Sequence, residues 1–367
     1  MSQATLDGKP IALDDAYAAA AKILGAARSP VVAGLSADVP GARAAILLAE
    51  RLRGAYDHLA SADSLADLDA VRSFGGFSTT PNEARVRGDV VLLIGSGLTS
   101  AWPTIFERLA LGNAPRHGSG AGKPRKILWL GGTASEAAAV GAPVELIPAS
   151  TAEIAATLGV WRARLGGRRV ALDAEKTKAA DAIVETLKGA HFGVAIWSAA
   201  ALEPLTVESI QALLTDLNTT LRFTGIAIGA RSGASGVGQA SGWMTGFPVR
   251  TGFGRARPEH DPWRFEAARL VDSGEADAAL WIAAHDGEAP PWSRRDIPLV
   301  TLGPAGSGAG RGLFIAVGRP GVDHDAVEFS QDAACMTLRA ASAPGAAPTV
   351  AAVVAAIDAR ISEVSSC

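Results

Sequence analysis

Short runs that are apolar at nearly every position, rather than at every second one, recur along this 367-residue chain and limit what it can fold into. Residues 30–34 (PVVAG), 90–94 (VVLLI), 126–130 (KILWL), 192–197 (FGVAIW) and 278–284 (AALWIAA) are of this kind. A strand with one face in water alternates apolar and polar residues, whereas a strand apolar throughout is buried on both faces, as in a parallel sheet covered by helices. Stretches of helical character lie between the runs. At 40–53, for example, Ala44, Leu47, Leu48 and Leu52 share one face, and further helices are predicted at 102–111, 151–164, 175–188 and 207–218. Such alternation predicts an α/β protein built on parallel sheets.

Residues 225–263 interrupt this rhythm with a glycine every few positions. Glycine loses the most backbone freedom on ordering, so the density of glycine predicts a long loop and no regular element. The stretch also carries Trp243, Met244, Phe247, Phe253 and Trp263 with Arg231, Arg250, Arg255 and Arg257. Aromatics can anchor a loop and arginines can fork onto phosphate or carboxylate, so it reads either as the rim of an anion-accommodating pocket or as a loop packed over a sheet edge.

Charge narrows the possible partners. Thirty-four Lys and Arg against 37 Asp and Glu leave a net charge of -3, with no basic surplus of the sort that binds nucleic acid or an anionic membrane. Only Cys335 and Cys367 are cysteines, too few for a disulfide framework, a four-cysteine zinc site or an iron–sulfur cluster, which suits a reducing cytoplasm. The first residues, MSQATLDGKPIALDD, lack the features of a secretion signal, and the longest apolar run, 350–357, is far below the roughly 20 residues needed to span a bilayer. Cytoplasmic localisation is expected.

Motif by motif, the usual chemistries are incomplete. Gly95-Ser96-Gly97 follows a strand and precedes a helix, as a dinucleotide fingerprint does, but Ser100 replaces its third glycine and no ribose-binding acid follows the next strand. In residues 118–124 the P-loop Ser/Thr is Pro124. His260-Asp261, His285-Asp286 and His324-Asp325 are adjacent pairs, and neighbours in sequence do not face each other as metal ligands on a helix do. They read as loop hydrogen bonding. Cys335, among alanines, reads as an inert packed thiol.

A family likeness enters through the glycine-rich stretch. Arg231, Gly238, Trp243-Met244-Thr245-Gly246-Phe247-Pro248, Gly254-Arg255-Ala256-Arg257-Pro258 and the run from His260 to Trp263, with Asn82 to Val90 upstream, resemble the B subunit of formylmethanofuran dehydrogenase, a molybdopterin-type oxidoreductase. That family holds an iron–sulfur cluster through N-terminal cysteines and ligates molybdenum or tungsten with a Cys-His pair. This chain has no cysteine before position 335, and Asp63 and Ser64 stand about where the pair would be. The likeness is therefore to the cofactor-less B subunits of bacterial formyltransferase/hydrolase complexes.

That resemblance implies two doubly wound parallel-sheet lobes, one inserted in the other: residues 1–70 plus 190–367, and residues 71–189. It implies a non-catalytic structural subunit of a complex that converts formyl-tetrahydromethanopterin to formate through a methanofuran-like carrier in one-carbon metabolism. The implied partners are an amidohydrolase-like A subunit, a β-helical C subunit and a formyltransferase D subunit, with the carrier and zinc on those partners. No metal, cluster or catalytic residue is expected here. Arg231, Ser235, Gly238, Thr245, Gly246 and Arg255 would line a vestigial pocket. The alternative is an oxidoreductase-like enzyme that retains a pterin or nucleotide between Arg231 and Arg257.

Overall fold

A computed structural model describes residues 3–308 and 310–365, so Cys367 lies outside the described residues. In chain order its elements are β1 (Ala4–Leu6), β2 (Lys9–Pro10), α1 (Leu13–Gly25), β3 (Pro30–Ser36), α2 (Val39–Arg51), β4 (Ala55–Tyr56), α3 (Ser61–Phe74), α4 (Pro81–Arg87), β5 (Val90–Ile94), α5 (Leu98–Ala101) and α6 (Ile105–Leu109). There follow β6 (Lys126–Leu130), α7 (Ala134–Ala138), β7 (Glu145–Ile147), α8 (Thr151–Leu165), α9 (Ala174–Lys188), β8 (Gly193–Ser198), α10 (Pro204–Leu217), β9 (Phe223–Ile228), α11 (Ala234–Thr245), β10 (Thr251–Gly252) and β11 (Glu259–His260). The chain closes with α12 (Ala267–Asp272), β12 (Ala278–Ala283), β13 (Leu299–Gly303), β14 (Leu313–Ala316), β15 (Ala326–Ser330), β16 (Cys335–Arg339) and α13 (Val350–Ser365).

Two compact units share these elements. The first comprises residues 1–61, 231–329 and 336–367, and the second residues 62–230 with 330–335. In the first, a nine-stranded sheet runs β11-β10-β4-β3-β12-β13-β14-β1-β2, parallel from β4 to β14 and antiparallel at both margins. Consecutive residues of β12 enter different cores. Leu280 and Ile282 pack with α1, α2 and α13, while Ala279, Trp281 and Ala283 pack with Phe265, Leu270 and Trp292 on the other face. Both faces are buried, which is why the strand reads as an unbroken apolar run. At Gly34 a Cβ would lie 2.3 Å from the Ile282 carbonyl oxygen, and φ is +80°, so β3 can approach β12 there only as glycine.

The second unit is a wholly parallel five-stranded sheet, β7-β6-β5-β8-β9. Val90, Leu92 and Ile94 face a core with Leu158, Ile183 and Leu213; Val91 and Leu93 face Trp102, Ile105 and Leu109. No helix among the described residues is long and apolar enough to cross a membrane.

The structure corrects four expectations. The expected division assigns residues 190–230 to the first lobe, but β8 and β9 pair beside β5 in the five-stranded sheet. Residues 62–70, assigned to the first lobe by the expected division, likewise group with the second unit, in the 14-residue helix α3. Cys335 is exposed rather than packed, because it opens a two-stranded ribbon at the surface. Most tellingly, 234–245 is a helix despite its glycines: Ala234, Val237, Ala240 and Ser241 form a buried stripe at helical spacing, packed on α2. Tertiary burial outweighs a local penalty of about 1 kcal/mol per glycine.

Candidate functional site

In an open α/β sheet, ligand sites form beyond the carboxyl ends of the strands where strand order reverses. The first unit reverses between β3 and β12, since the chain steps outward to β4 on one side and to β13 and β14 on the other. Ser36, the last residue of β3, meets His285, just past β12: its Oγ lies 3.0 Å from His285 Nδ1. His285 Nε2 lies 2.7 Å from Glu328 Oε1 on β15, and this hydrogen bond, ahead of any other effect, holds the Glu328 carboxyl below its usual pKa. Serine, imidazole and carboxylate thus form a continuous chain. Ser36 is buried, 1% exposed.

Beside it, β4 delivers Tyr56, Asp57 and His58 in succession. Ser241 Oγ donates to the Phe247 carbonyl at 2.8 Å, so the Tyr56 hydroxyl must be the donor in its 2.7 Å bond to Ser241. Asp57 accepts from Ser61 Oγ and, at 3.0 Å, from the Ala267 amide. Burial nevertheless raises its pKa from 3.8 to about 6, against the lowering effect of Arg250, whose Nε is 3.6 Å away. Arg250 also donates to the Pro262 carbonyl at 2.6 Å and to Glu266 at 3.2 Å. His58 is the neutral tautomer with the proton on Nε2, which faces the Ser232 carbonyl at 3.1 Å while Nδ1 accepts from the Ala60 amide at 3.0 Å. Burial lowers its pKa to about 4.

Of the six residues expected to line a pocket, Arg231, Thr245 and Arg255 are engaged by neighbouring groups. Arg231 pairs with Glu288. Thr245 donates to the Ser241 carbonyl at 2.8 Å and accepts from the Phe247 amide at 3.1 Å. Gly246 ends α11 in the left-handed region, with φ 79°. Ser235 is half-buried in the first turn of α11, and a Cβ on Gly238 would meet nothing within 4 Å, so no close approach demands glycine there. Arg255 pairs with Glu259 at 3.2 Å, away from the Ser36–His285 chain in sequence and in bonding. Asp63 and Ser64 occupy the first turn of α3 in the second unit, where Asp63 helps raise the pKa of Asp67 to about 6, behind burial as the main cause. No group of three His, Cys, Asp or Glu side chains that could hold a metal occurs among the described residues.

The second unit has its own reversal, between β5 and β8. Here Gly95-Ser96-Gly97 forms the turn anticipated from sequence, but the Gly97 amide donates to Glu136 Oε1 at 2.7 Å. The carboxylate that completes the Thr133 capping box of α7 thereby takes the place a phosphate would need.

Ser36, the run Tyr56-Asp57-His58 and Glu328 escape sequence reading because they lie far apart along the chain, and only the fold brings their elements together. Comparison with known proteins then gives the family. No family model matches the chain. The B subunit of the formyltransferase/hydrolase complex Fhc of Methylorubrum extorquens is 33% identical over 352 residues, 95% of this chain and 94% of that protein. The B subunit of tungsten-containing formylmethanofuran dehydrogenase 2 of Methanocaldococcus jannaschii is 25% identical over 311 residues, 81% of this chain and 71% of that protein. Among solved structures, the crystal structure of the formyltransferase/hydrolase complex (FhcABCD) from Methylorubrum extorquens in complex with methylofuran contains a chain that superposes with a TM-score of 0.89 at 32% identity, covering 99% of this chain and 100% of that one. With a relative this similar along nearly its whole length, the chain belongs to the family of B subunits of the formyltransferase/hydrolase complex.

Proposed function

We propose that this chain is the non-catalytic B subunit of a four-subunit formyltransferase/hydrolase complex that takes the formyl group of formyl-tetrahydromethanopterin, by way of a methanofuran-like carrier, to formate. Formyl transfer and hydrolysis fall to partner subunits: a formyltransferase, an amidohydrolase-like subunit with its zinc, and a β-helical subunit. The observation that carries this reading is the likeness along nearly the whole chain to the B subunit of the formyltransferase/hydrolase complex of Methylorubrum extorquens, and the strand-end crevice of the first unit is consistent with it, although Arg250 Nε and Glu288 Oε2 are buried there without a hydrogen-bond partner. Tyr56, Asp57, His58, His285, Arg231 and Arg250 are each engaged by side chains or backbone of the same unit. A polar site prepared for a substrate would present donors and acceptors awaiting it.

Among the described residues, no group of three His, Cys, Asp or Glu side chains matches the tungsten named for the archaeal relative. Asp63 and Ser64 offer one carboxylate and one hydroxyl on a helical turn, and the charge of Asp63 acts on Asp67. A thiolate-held metal does not fit these residues.

The test is chemical analysis of chain purified from its own cells. Metal measured by plasma mass spectrometry should fall far below one tungsten or molybdenum per chain, and the supernatant after denaturation should hold no pterin or nucleotide. Stoichiometric metal or pterin would instead establish the alternative, an enzyme that retains a pterin or nucleotide between Arg231 and Arg257.

A further inference from the structure

The chain has eight tryptophans. Trp102, Trp129, Trp161, Trp197, Trp281 and Trp292 are at most 3% exposed, whereas Trp243 and Trp263 are 66% and 69% exposed. Both exposed tryptophans fall within one stretch of the first unit, at the end of α11 and just past β11. The surface around Trp263 and Phe247 is held in place. Phe247, itself 39% exposed, stacks on His260 with ring centroids 6.3 Å apart, and His260 Nδ1 bonds the Arg250 carbonyl at 3.0 Å. The Trp263 amide donates to Asp261 at 2.9 Å, and the Arg269 guanidinium covers one face of the Trp263 ring at 4.4 Å. Leaving two indoles in water on a braced surface forgoes burial that the other six obtain.

Charge marks the same stretch. Arg255, Arg257 and Arg264 converge on the single carboxylate of Glu259, at 3.2, 3.8 and 4.0 Å, while each arginine side chain stays at least half exposed. From Trp243 to Arg264 the exposed arginines are Arg255, Arg257 and Arg264, against Glu259 and Asp261, while Arg250 is 14% exposed and paired with Asp57 and Glu266, so the surface carries a surplus of one positive charge on a chain whose net charge is -3. The stretch includes β11, one of the two edge strands of the nine-stranded sheet. Exposed Trp and Arg beside a sheet-edge strand are the composition of an interface centre, and a surplus of guanidinium calls for carboxylates opposite.

We propose that Trp243, Phe247, Trp263, Arg255, Arg257 and Arg264 form the surface on which this chain docks an acidic face of a different subunit; the inference rests on the complex assignment proposed above. The aromatics supply the desolvated area and the arginines the pairing with carboxylates, so attachment here weakens as salt rises.

The experiment co-expresses the full chain with its partner subunits and compares wild type with Arg255→Glu/Arg257→Glu and with Trp263→Ala. Assembly is followed by native mass spectrometry at two salt concentrations, and hydrogen exchange of residues 243–264 is measured in the free chain and in the complex. The expected results are protection of 243–264 on assembly, a dissociation constant raised at least about tenfold by the charge reversal, and a smaller salt dependence in that variant. Unchanged far-ultraviolet circular dichroism and melting temperature of the variants establish that they are folded. A wild-type complex that assembles with 243–264 unprotected and with variants indistinguishable from wild type overturns the docking surface and leaves the complex assignment standing. Failure of wild type to assemble with any partner overturns both. Protection that arises in the isolated chain as its concentration rises also overturns the proposal, by making the surface a contact between two copies.

Discussion

Asp57 and Asp67 are carboxylates that burial has pushed up from 3.8 to about 6, and their titration gives the stability of the chain a pH dependence of opposite sign to that of His58. A carboxyl whose folded pKa is raised binds its proton more tightly when folded, so stability falls as pH climbs from about 4 to 6 and is level above. Asp67 bonds Trp197 Nε1 at 2.9 Å through Oδ1, an acceptor that asparagine retains. Asp67→Asn should therefore leave stability nearly unchanged at pH 4 and raise it at pH 7.5 by up to about 3 kcal/mol, the free energy of two pKa units. Urea midpoints at the two pH values measure this, and an equal effect at both would contradict the buried-charge assignment. His58 runs the other way. Its pKa is lowered from 6.5 to about 4, so its contribution is complete above pH 6.5 and is lost as pH falls through that window. In the wild type, Asp57 and His58 offset each other between about pH 4 and 6. Asp57→Asn removes one side of that balance and should make unfolding on acidification steeper than in wild type; a shallower acid limb would show that His58 is not buried and neutral.

At the scale of elements, α11 is the instructive case. Gly238 and Gly242 lie within the helix, neither has positive φ, and a Cβ on either would meet nothing within 4 Å. Alanine at each should raise stability by about 1 kcal/mol, read as a shift in denaturation midpoint. Gly34→Ala should do the opposite and severely, because its Cβ would collide with the Ile282 carbonyl. The contrast explains what the sequence could and could not disclose. β5 and β6 are legible to the residue, since double-faced burial writes itself as an unbroken apolar run. The helix at 234–245 is hidden behind glycine count, although its apolar stripe of Ala234, Val237 and Ala240 is in plain view. Ser36, His285 and Glu328 are not legible at all. Their meeting depends on β3 lying next to β12, a pairing between residues some 249 positions apart that no spacing rule encodes.

For the whole molecule, two parallel-sheet units each place a crevice at the carboxyl ends of their strands, and each crevice is stocked with the chain's own polar groups: Ser36, His58 and His285 in one, Glu136 on the Gly97 amide in the other. An α/β framework whose strand ends are occupied mainly by its own polar groups is consistent with the proposed subunit role. The outward-facing tryptophans and arginines of residues 243–264 are the complementary feature. The most direct test of this account is the native mass of the chain isolated gently from its own cells, with every co-purifying polypeptide identified by peptide mass spectrometry. The account predicts recovery in a stable assembly with a formyltransferase, an amidohydrolase-like subunit and a β-helical subunit. Recovery of the chain alone, as a monomer or with copies of itself, would contradict it.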